Sequence, residues 1–262
     1  MPRTRATPAS RRPRVFALLG VGMLTAAALA AGVVLADSRS SAPQPRRSDA
    51  ALPTLAPNPN AIAFLGDSIT YGFDLDVAFS GVDAVNLGVS GDTTADVLAR
   101  MPREILALRP AKAVVMIGTN DLGQGRTAAE VLEGVARILD RIRSGSPATE
   151  IVLESLYPVH ERPNEAFDTF APGRRTNARI TRVNDGLAAL AAARQLTFVD
   201  VYAHLIDDDG QLAVAFTYDG LHLTPEGYAA VAEVLAPAVL DAPVLDAPAA
   251  ARPDGDFTAF GR

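Results

Sequence analysis

Short apolar runs alternate along the middle of the chain with longer stretches in which apolar residues recur every three or four positions. The runs Ala61–Leu65, Asp83–Leu87, Ala113–Ile117, Glu150–Leu156 and Thr197–Val201 are bounded by turn residues and read as buried strands. Helical spacing covers Thr94–Leu108, Thr127–Arg143, Arg175–Arg194 and Pro225–Leu240. Thr224-Pro225-Glu226 is a helix start, a capping hydroxyl followed by proline in the first turn. Strands alternating with helices of this length predict βαβ units and a parallel sheet. Right-handed crossovers then put helices on both faces, an α/β doubly wound sandwich.

The flanks follow a different pattern. Residues 1–36 begin with five arginines (Arg3, Arg5, Arg11, Arg12, Arg14) and no acid, followed by an uncharged run of 22 residues, Val15–Ala36. Val34-Leu35-Ala36 is an acceptable small-residue cleavage site, so a signal peptide is the leading reading. The run is also long enough to span a bilayer, which makes an uncleaved membrane tether through residues 15–36 its rival. Either address predicts an extracytoplasmic protein, secreted or anchored. Residues 37–59 carry Pro43, Pro45, Pro53, Pro57 and Pro59 and read as a semi-rigid linker. Residues 241–262 repeat Leu-Asp-Ala-Pro and then turn polar, the pattern of a loosely attached tail. One domain, residues 60–240, remains. With 48% hydrophobic residues and 20 glycines in 262, the chain has the makings of a real core.

Charge and cysteine usage narrow the function. The whole chain has 24 basic and 30 acidic residues; without the five N-terminal arginines the balance is 19 against 30, or −11. An acidic body offers no footprint for nucleic acid. The absence of cysteine rules out a thiolate nucleophile, disulfide staples and thiolate metal sites.

In an open parallel sheet, ligands bind beyond the carboxyl ends of the strands. Ser68 in Gly66-Asp67-Ser68 follows the first strand, and Asn86-Leu87-Gly88 closes the second. Gly118-Thr119-Asn120-Asp121 follows the third, while Asp219 and His222 lie between the fifth strand and the last helix. A serine hydroxyl needs a base to become a nucleophile. His160 reads as a solvated loop residue and His204 as a packing or capping residue. His222 has a carboxylate three positions earlier in Asp219-Gly220-Leu221-His222, and the glycine permits a bend that lets Asp219 orient the ring. The same pattern also fits a turn salt bridge. The backbone N–H groups of Ser68 and Gly88 and the amide of Asn120 are candidate oxyanion donors. Gly88 equally suits a turn, and Asn120 with Asp121 a loop cap. Asp67, which no chemical step requires, is assigned to holding its loop. Asp207-Asp208-Asp209-Gly210 lacks the alternate spacing of a calcium loop and reads as a solvated turn.

Gly66–Thr70, Asn86–Thr94, Gly118–Asp121 and Asp219–Tyr228 occur in the order that resembles the SGNH hydrolases, the GDSL esterase/lipase family. Val183-Asn184 is similar to that family too. The nearest group by pattern is the single-domain bacterial one akin to lysophospholipases and platelet-activating-factor acetylhydrolases. The resemblance implies a three-layer α/β/α sandwich with a five-stranded parallel sheet, Ser68 as nucleophile, His222 as base and Asp219 as its orienter. It also implies an oxyanion hole of Ser68, Gly88 and Asn120, with no metal or cofactor. The substrate it implies is a small-molecule, glycan or lipid ester, with short-chain or acetyl esters first, then carbohydrate O-acetyl esters and lysophospholipids or thioesters. A tethered carbohydrate- or lipid-binding module is the non-enzymatic alternative.

Overall fold

The computed structural model describes residues 54–167 and 169–240. The predicted leader or anchor, most of the linker and the tail lie outside them. Five strands form one parallel sheet: β1 (Ile62–Gly66), β2 (Ala84–Gly88), β3 (Lys112–Met116), β4 (Glu150–Glu154) and β5 (Thr197–Val199), in the order β2-β1-β3-β4-β5. Every residue of β1 and β3 is buried, as strands covered on both faces must be. β1 pairs with both β2 and β3 through Gly66, which lies opposite Gly88 and Met116.

The helices are α1 (Ser68–Tyr71), α2 (Leu75–Ala78), α3 (Thr94–Arg100), α4 (Ile105–Leu108), α5 (Thr119–Gly123), α6 (Ala128–Gly145), α7 (Asn177–Arg194), α8 (Tyr202–Leu205) and α9 (Pro225–Leu240). The strand order reverses direction once, between β1 and β3. Right-handed crossovers therefore send α1 and α2 to one face and α3, α4, α6 and α7 to the other. The packing agrees: α6 contacts α3, α4 and α7, whereas α9 contacts α2, α8 and β5. The long helices bury one stripe each, Val131, Val135, Ile138 and Ile142 on α6 and Ile180, Val183, Leu187 and Ala191 on α7. A capping box of Thr127 and Glu130 starts α6.

Three predicted elements differ. The helix expected over Thr94–Leu108 is two helices, α3 and α4, joined by a 3₁₀ turn at Met101–Arg103. Pro102 is the cause, because it has no N–H to continue the ladder. The strands expected to run to Leu156 and Val201 stop at Glu154 and Val199. Beyond Glu154, the side chain of Asn184 on α7 occupies both backbone groups of Leu156, accepting from its N–H at 2.8 Å and donating to its carbonyl at 2.9 Å. Among the described residues no helix is long and apolar enough to cross a membrane.

Candidate active site

The reversal between β1 and β3 opens a crevice above their carboxyl ends, the switch point where such sheets hold ligands. Ser68 stands there as the first residue of α1. Its turn is tight: a Cβ on Gly66 would lie 2.0 Å from Thr70 Oγ1 and 2.5 Å from the Met116 carbonyl. Asp67 caps α1 by accepting from the Ile69 N–H at 3.0 Å, so it does hold the loop. It is fully buried, and burial pushes its pKa up to about 6 against the opposing pull of that N–H and of His222 and Arg175.

The segment before α9 brings the base. Thr217 donates to the His222 carbonyl at 2.7 Å and accepts from the Gly220 N–H at 2.9 Å. Gly220 has φ +85°, the left-handed bend that turns the Asp219 carboxylate back onto the chain that follows. Asp219 Oδ1 accepts from the N–H groups of Leu221 at 2.9 Å and His222 at 2.7 Å, while Oδ2 lies 2.7 Å from His222 Nδ1. The opposite ring nitrogen, Nε2, is 3.0 Å from Ser68 Oγ. Burial alone would raise the Asp219 carboxyl, but the three bonds from His222 and Leu221 outweigh it and hold its pKa low. A carboxylate that accepts Nδ1–H leaves Nε2 as the acceptor for the serine proton. The loop after β4 covers this turn, with His160 N–H donating to the Gly220 carbonyl and Ala171 N–H to the Asp219 carbonyl, both at 2.9 Å.

On the other wall, Asn120 at the start of α5 donates through Nδ2 to the Asp92 carbonyl at 2.9 Å. One Nδ2 hydrogen remains for a second acceptor. Asp121 ties α5 to α3, accepting from Thr94 N–H at 2.9 Å and Thr94 Oγ1 at 2.7 Å. Arg100 ties the same region to β1, donating to Asp92 Oδ2 at 2.5 Å, to the Gly66 carbonyl at 3.0 Å and to Glu104.

One predicted donor is corrected. The Gly88 N–H donates to Asn86 Oδ1 at 2.8 Å and is not free for an oxyanion. The glycine is needed for packing instead, since a Cβ there would sit 2.2 Å from the Tyr71 N and 2.7 Å from the Thr70 carbonyl carbon. Three residues on, Gly91 (φ +85°) occupies the turn that delivers Asp92, and its N–H meets no acceptor among the described residues. Sequence reasoning missed Gly91; the signal was its position one residue before the Asp92-Thr93 helix start. His160 also departs from expectation. It is buried, with Nδ1 2.8 Å from the Arg162 carbonyl and its ring edge-on to Phe167, whereas His204 is exposed. Asp207 Oδ1 accepts from the N–H groups of Asp209 and Gln211, the turn that was expected. Among the described residues no cluster of acids and histidines is arranged to hold a metal ion. A cavity of about 360 Å³ lined by Arg143, Glu150, Gln195 and Thr197 lies at the amino ends of β4 and β5, the far side of the sheet from Ser68.

Residues 64–230 match the model of the GDSL-like Lipase/Acylhydrolase family. A solved structure from Streptococcus pneumonia, named after platelet activating factor, is 35% identical with a TM-score of 0.63, covering 69% of this chain and 84% of that one. The lipase/acylhydrolase from Enterococcus faecalis is 26% identical with a TM-score of 0.56, covering 69% and 95%. Platelet-activating factor acetylhydrolase IB subunit alpha2 of Rattus norvegicus is 32% identical over 158 residues, 60% of this chain. The chain spans 64% of the length of that curated relative. With the family model matched across the sheet and all four segments of the crevice, the chain belongs to the GDSL-like lipase/acylhydrolase family.

Proposed function

We propose that the chain is an exported serine esterase that hydrolyses carboxylic esters, with short-chain or acetyl esters favoured, through an acyl-enzyme on Ser68. The observation that carries this reading is the continuous relay of short contacts, Ser68 Oγ to His222 Nε2 at 3.0 Å and His222 Nδ1 to Asp219 Oδ2 at 2.7 Å. In the first half-reaction Ser68 Oγ attacks the ester carbonyl as its proton passes to His222 Nε2. The tetrahedral oxyanion is met by the Ser68 and Gly91 N–H groups and by Asn120 Nδ2–H. Its collapse breaks the bond to the alcohol oxygen, which leaves with the proton from Nε2. In the second half water repeats the sequence on the acyl-enzyme and releases the acid. Asp219 keeps its charge throughout and steadies the imidazolium.

An acetyl preference draws support from the acetylhydrolase named among the relatives. Carbohydrate O-acetyl esters are a second reading, favoured by aromatic faces at the crevice. Exposed Tyr218 stacks on the His222 ring at 5.9 Å between centroids, and exposed Phe170 lies over Gly220. Export, by a cleaved signal or an uncleaved tether, rests on the basic head and uncharged run of residues 1–36. The test is labelling by a fluorophosphonate followed by peptide mapping, with hydrolysis of p-nitrophenyl acetate in parallel. Label on Ser68 and its loss in Ser68→Ala are expected. A folded chain that takes no label overturns the esterase reading in favour of a binding module, and a Ser68→Ala chain with full activity overturns Ser68 as the nucleophile. A panel of acetylated sugars and longer acyl chains ranks the substrates.

A further inference from the structure

Arg175 belongs to none of the segments that form the crevice, yet its side chain reaches into it. It stands two residues before α7, and its guanidinium lies against α5. Nε donates to the Thr119 carbonyl at 2.9 Å, Nη2 to Asn120 Oδ1 at 2.7 Å and Nη1 to the Pro172 carbonyl at 3.1 Å. The planar group fits only because residue 123 is glycine: a Cβ there would be 2.6 Å from Arg175 Cζ and Nη2. Two carboxylates of the site, Asp67 and Asp219, are its charged neighbours.

A side-chain amide has two ends of similar shape and opposite polarity, and a half-turn about its last bond exchanges them. A guanidinium has only donors, so the end facing Nη2 must be the oxygen. That leaves the nitrogen as the end facing the crevice, with one hydrogen on the Asp92 carbonyl and one uncommitted. A cation on the oxygen also draws electron density through the amide and strengthens the remaining N–H as a donor to an anion. We propose that Arg175 is a positioning residue whose guanidinium locks the Asn120 amide with its nitrogen toward the developing oxyanion and polarises that donor. This rests on the esterase reading and on Asn120 as an oxyanion donor.

A kinetic cycle on the full chain tests it, using p-nitrophenyl acetate, wild type, Asn120→Ala, Arg175→Ala and the double variant. Asn120→Ala is expected to lower kcat by about a hundredfold, the usual loss for one oxyanion donor. Arg175→Ala is expected to lower kcat by roughly ten- to a hundredfold, within that same limit, with KM nearly unchanged. In the Asn120→Ala background the Arg175 substitution is expected to cost little more, because the group it acts through is gone. Added methylguanidinium is expected to restore part of the activity of Arg175→Ala and none of the double variant's. An Arg175 effect of the same size in both backgrounds overturns the proposal while leaving Asn120's role intact. An Asn120→Ala chain with wild-type kcat overturns the oxyanion assignment itself, and failed labelling of Ser68 overturns the reading beneath both. Arg175→Lys keeps the charge but not the fork that spans Thr119 and Asn120. It carries the same cycle should the alanine variant not fold, and an Arg175→Lys effect of the same size with and without Asn120 overturns the proposal.

Discussion

Asp219 makes three hydrogen bonds with the two residues Leu221 and His222, and this concentration of bonds decides what each substitution there does. Asp219→Asn preserves shape, so the turn and the Ser68–His222 distance are expected to survive. An amide presents the wrong polarity to one of those donors, however, and favours the ring tautomer that puts the proton on Nε2. The expected outcome is a fall in kcat of about 10³–10⁴-fold, by the general logic of such triads, with a lowered thermal midpoint at neutral pH because the carboxylate charge held by those bonds is gone. Stopped assays beside calorimetry check it. Asp67 shows the limit of nearness as a guide to chemistry. It adjoins the proposed nucleophile, but its oxygen serves the Ile69 N–H, as its assignment to the loop required.

At the scale of elements, the close approach of β2 to α1 is where this fold has least room. Gly88→Ala would drive a methyl group into the backbone at Tyr71, 2.2 Å away, and backbone cannot rotate aside as a side chain can. The expected cost is about 1–3 kcal/mol of stability, as for overpacking elsewhere. Because α1 carries Ser68, fluorophosphonate labelling is expected to slow as well. Denaturant unfolding and labelling rates on the same preparation check both effects. If Gly88 served only as a donor, its N–H would be retained in alanine and labelling would be unaffected. Asn86 belongs to the same junction, donating through Nδ2 to the Thr70 carbonyl at 2.7 Å and the Phe73 carbonyl at 3.0 Å. The asparagine and glycine of this segment thus hold β2 against α1, the helix that carries Ser68.

For the whole molecule, buried acids set the pH dependence of stability. Glu154, at the end of β4, is fully buried and accepts from the Tyr157 hydroxyl at 2.6 Å, its side chain's one hydrogen-bond partner among the described residues, and burial pushes its pKa up to about 7 from an ordinary 4.5. Asp67 rises from 3.8 to about 6 for the same reason. Between the ordinary and the raised values the folded chain binds more protons than the unfolded one, so stability falls as pH rises. The stability from Glu154 is full below about pH 4.5 and lost by about pH 7, a span of about 3 kcal/mol. Asp219 acts oppositely: its lowered pKa contributes stability that is lost as pH falls below the ordinary carboxylate range. The thermal midpoint is therefore expected to peak on the acid side of neutral. Glu154→Gln, which still accepts the Tyr157 hydroxyl, is expected to flatten the decline above pH 5 and raise the midpoint at pH 8. A calorimetric pH series on both chains checks the sign and the window.

What the sequence determined alone was whatever depends on neighbours along the chain. Alternating apolar runs and helical stripes dictated the parallel sheet, and all five strands lie within two residues of where periodicity put them. The start of α9 at Pro225 and the bend at Gly220 follow from local backbone chemistry, the missing N–H of proline and the missing Cβ of glycine. Tertiary structure decided whatever depends on distant partners. That Gly88 is spent on packing follows from the Tyr71 backbone lying against the end of β2, which no spacing reveals, while the Gly91 N–H meets no acceptor among the described residues. That Arg175 reaches Asn120, 55 residues away in sequence, follows from α7 packing against α5. Periodicity records which face of an element meets the core. It carries no record of which polar atom on a far segment completes a hydrogen bond, and in this crevice those bonds choose the donors.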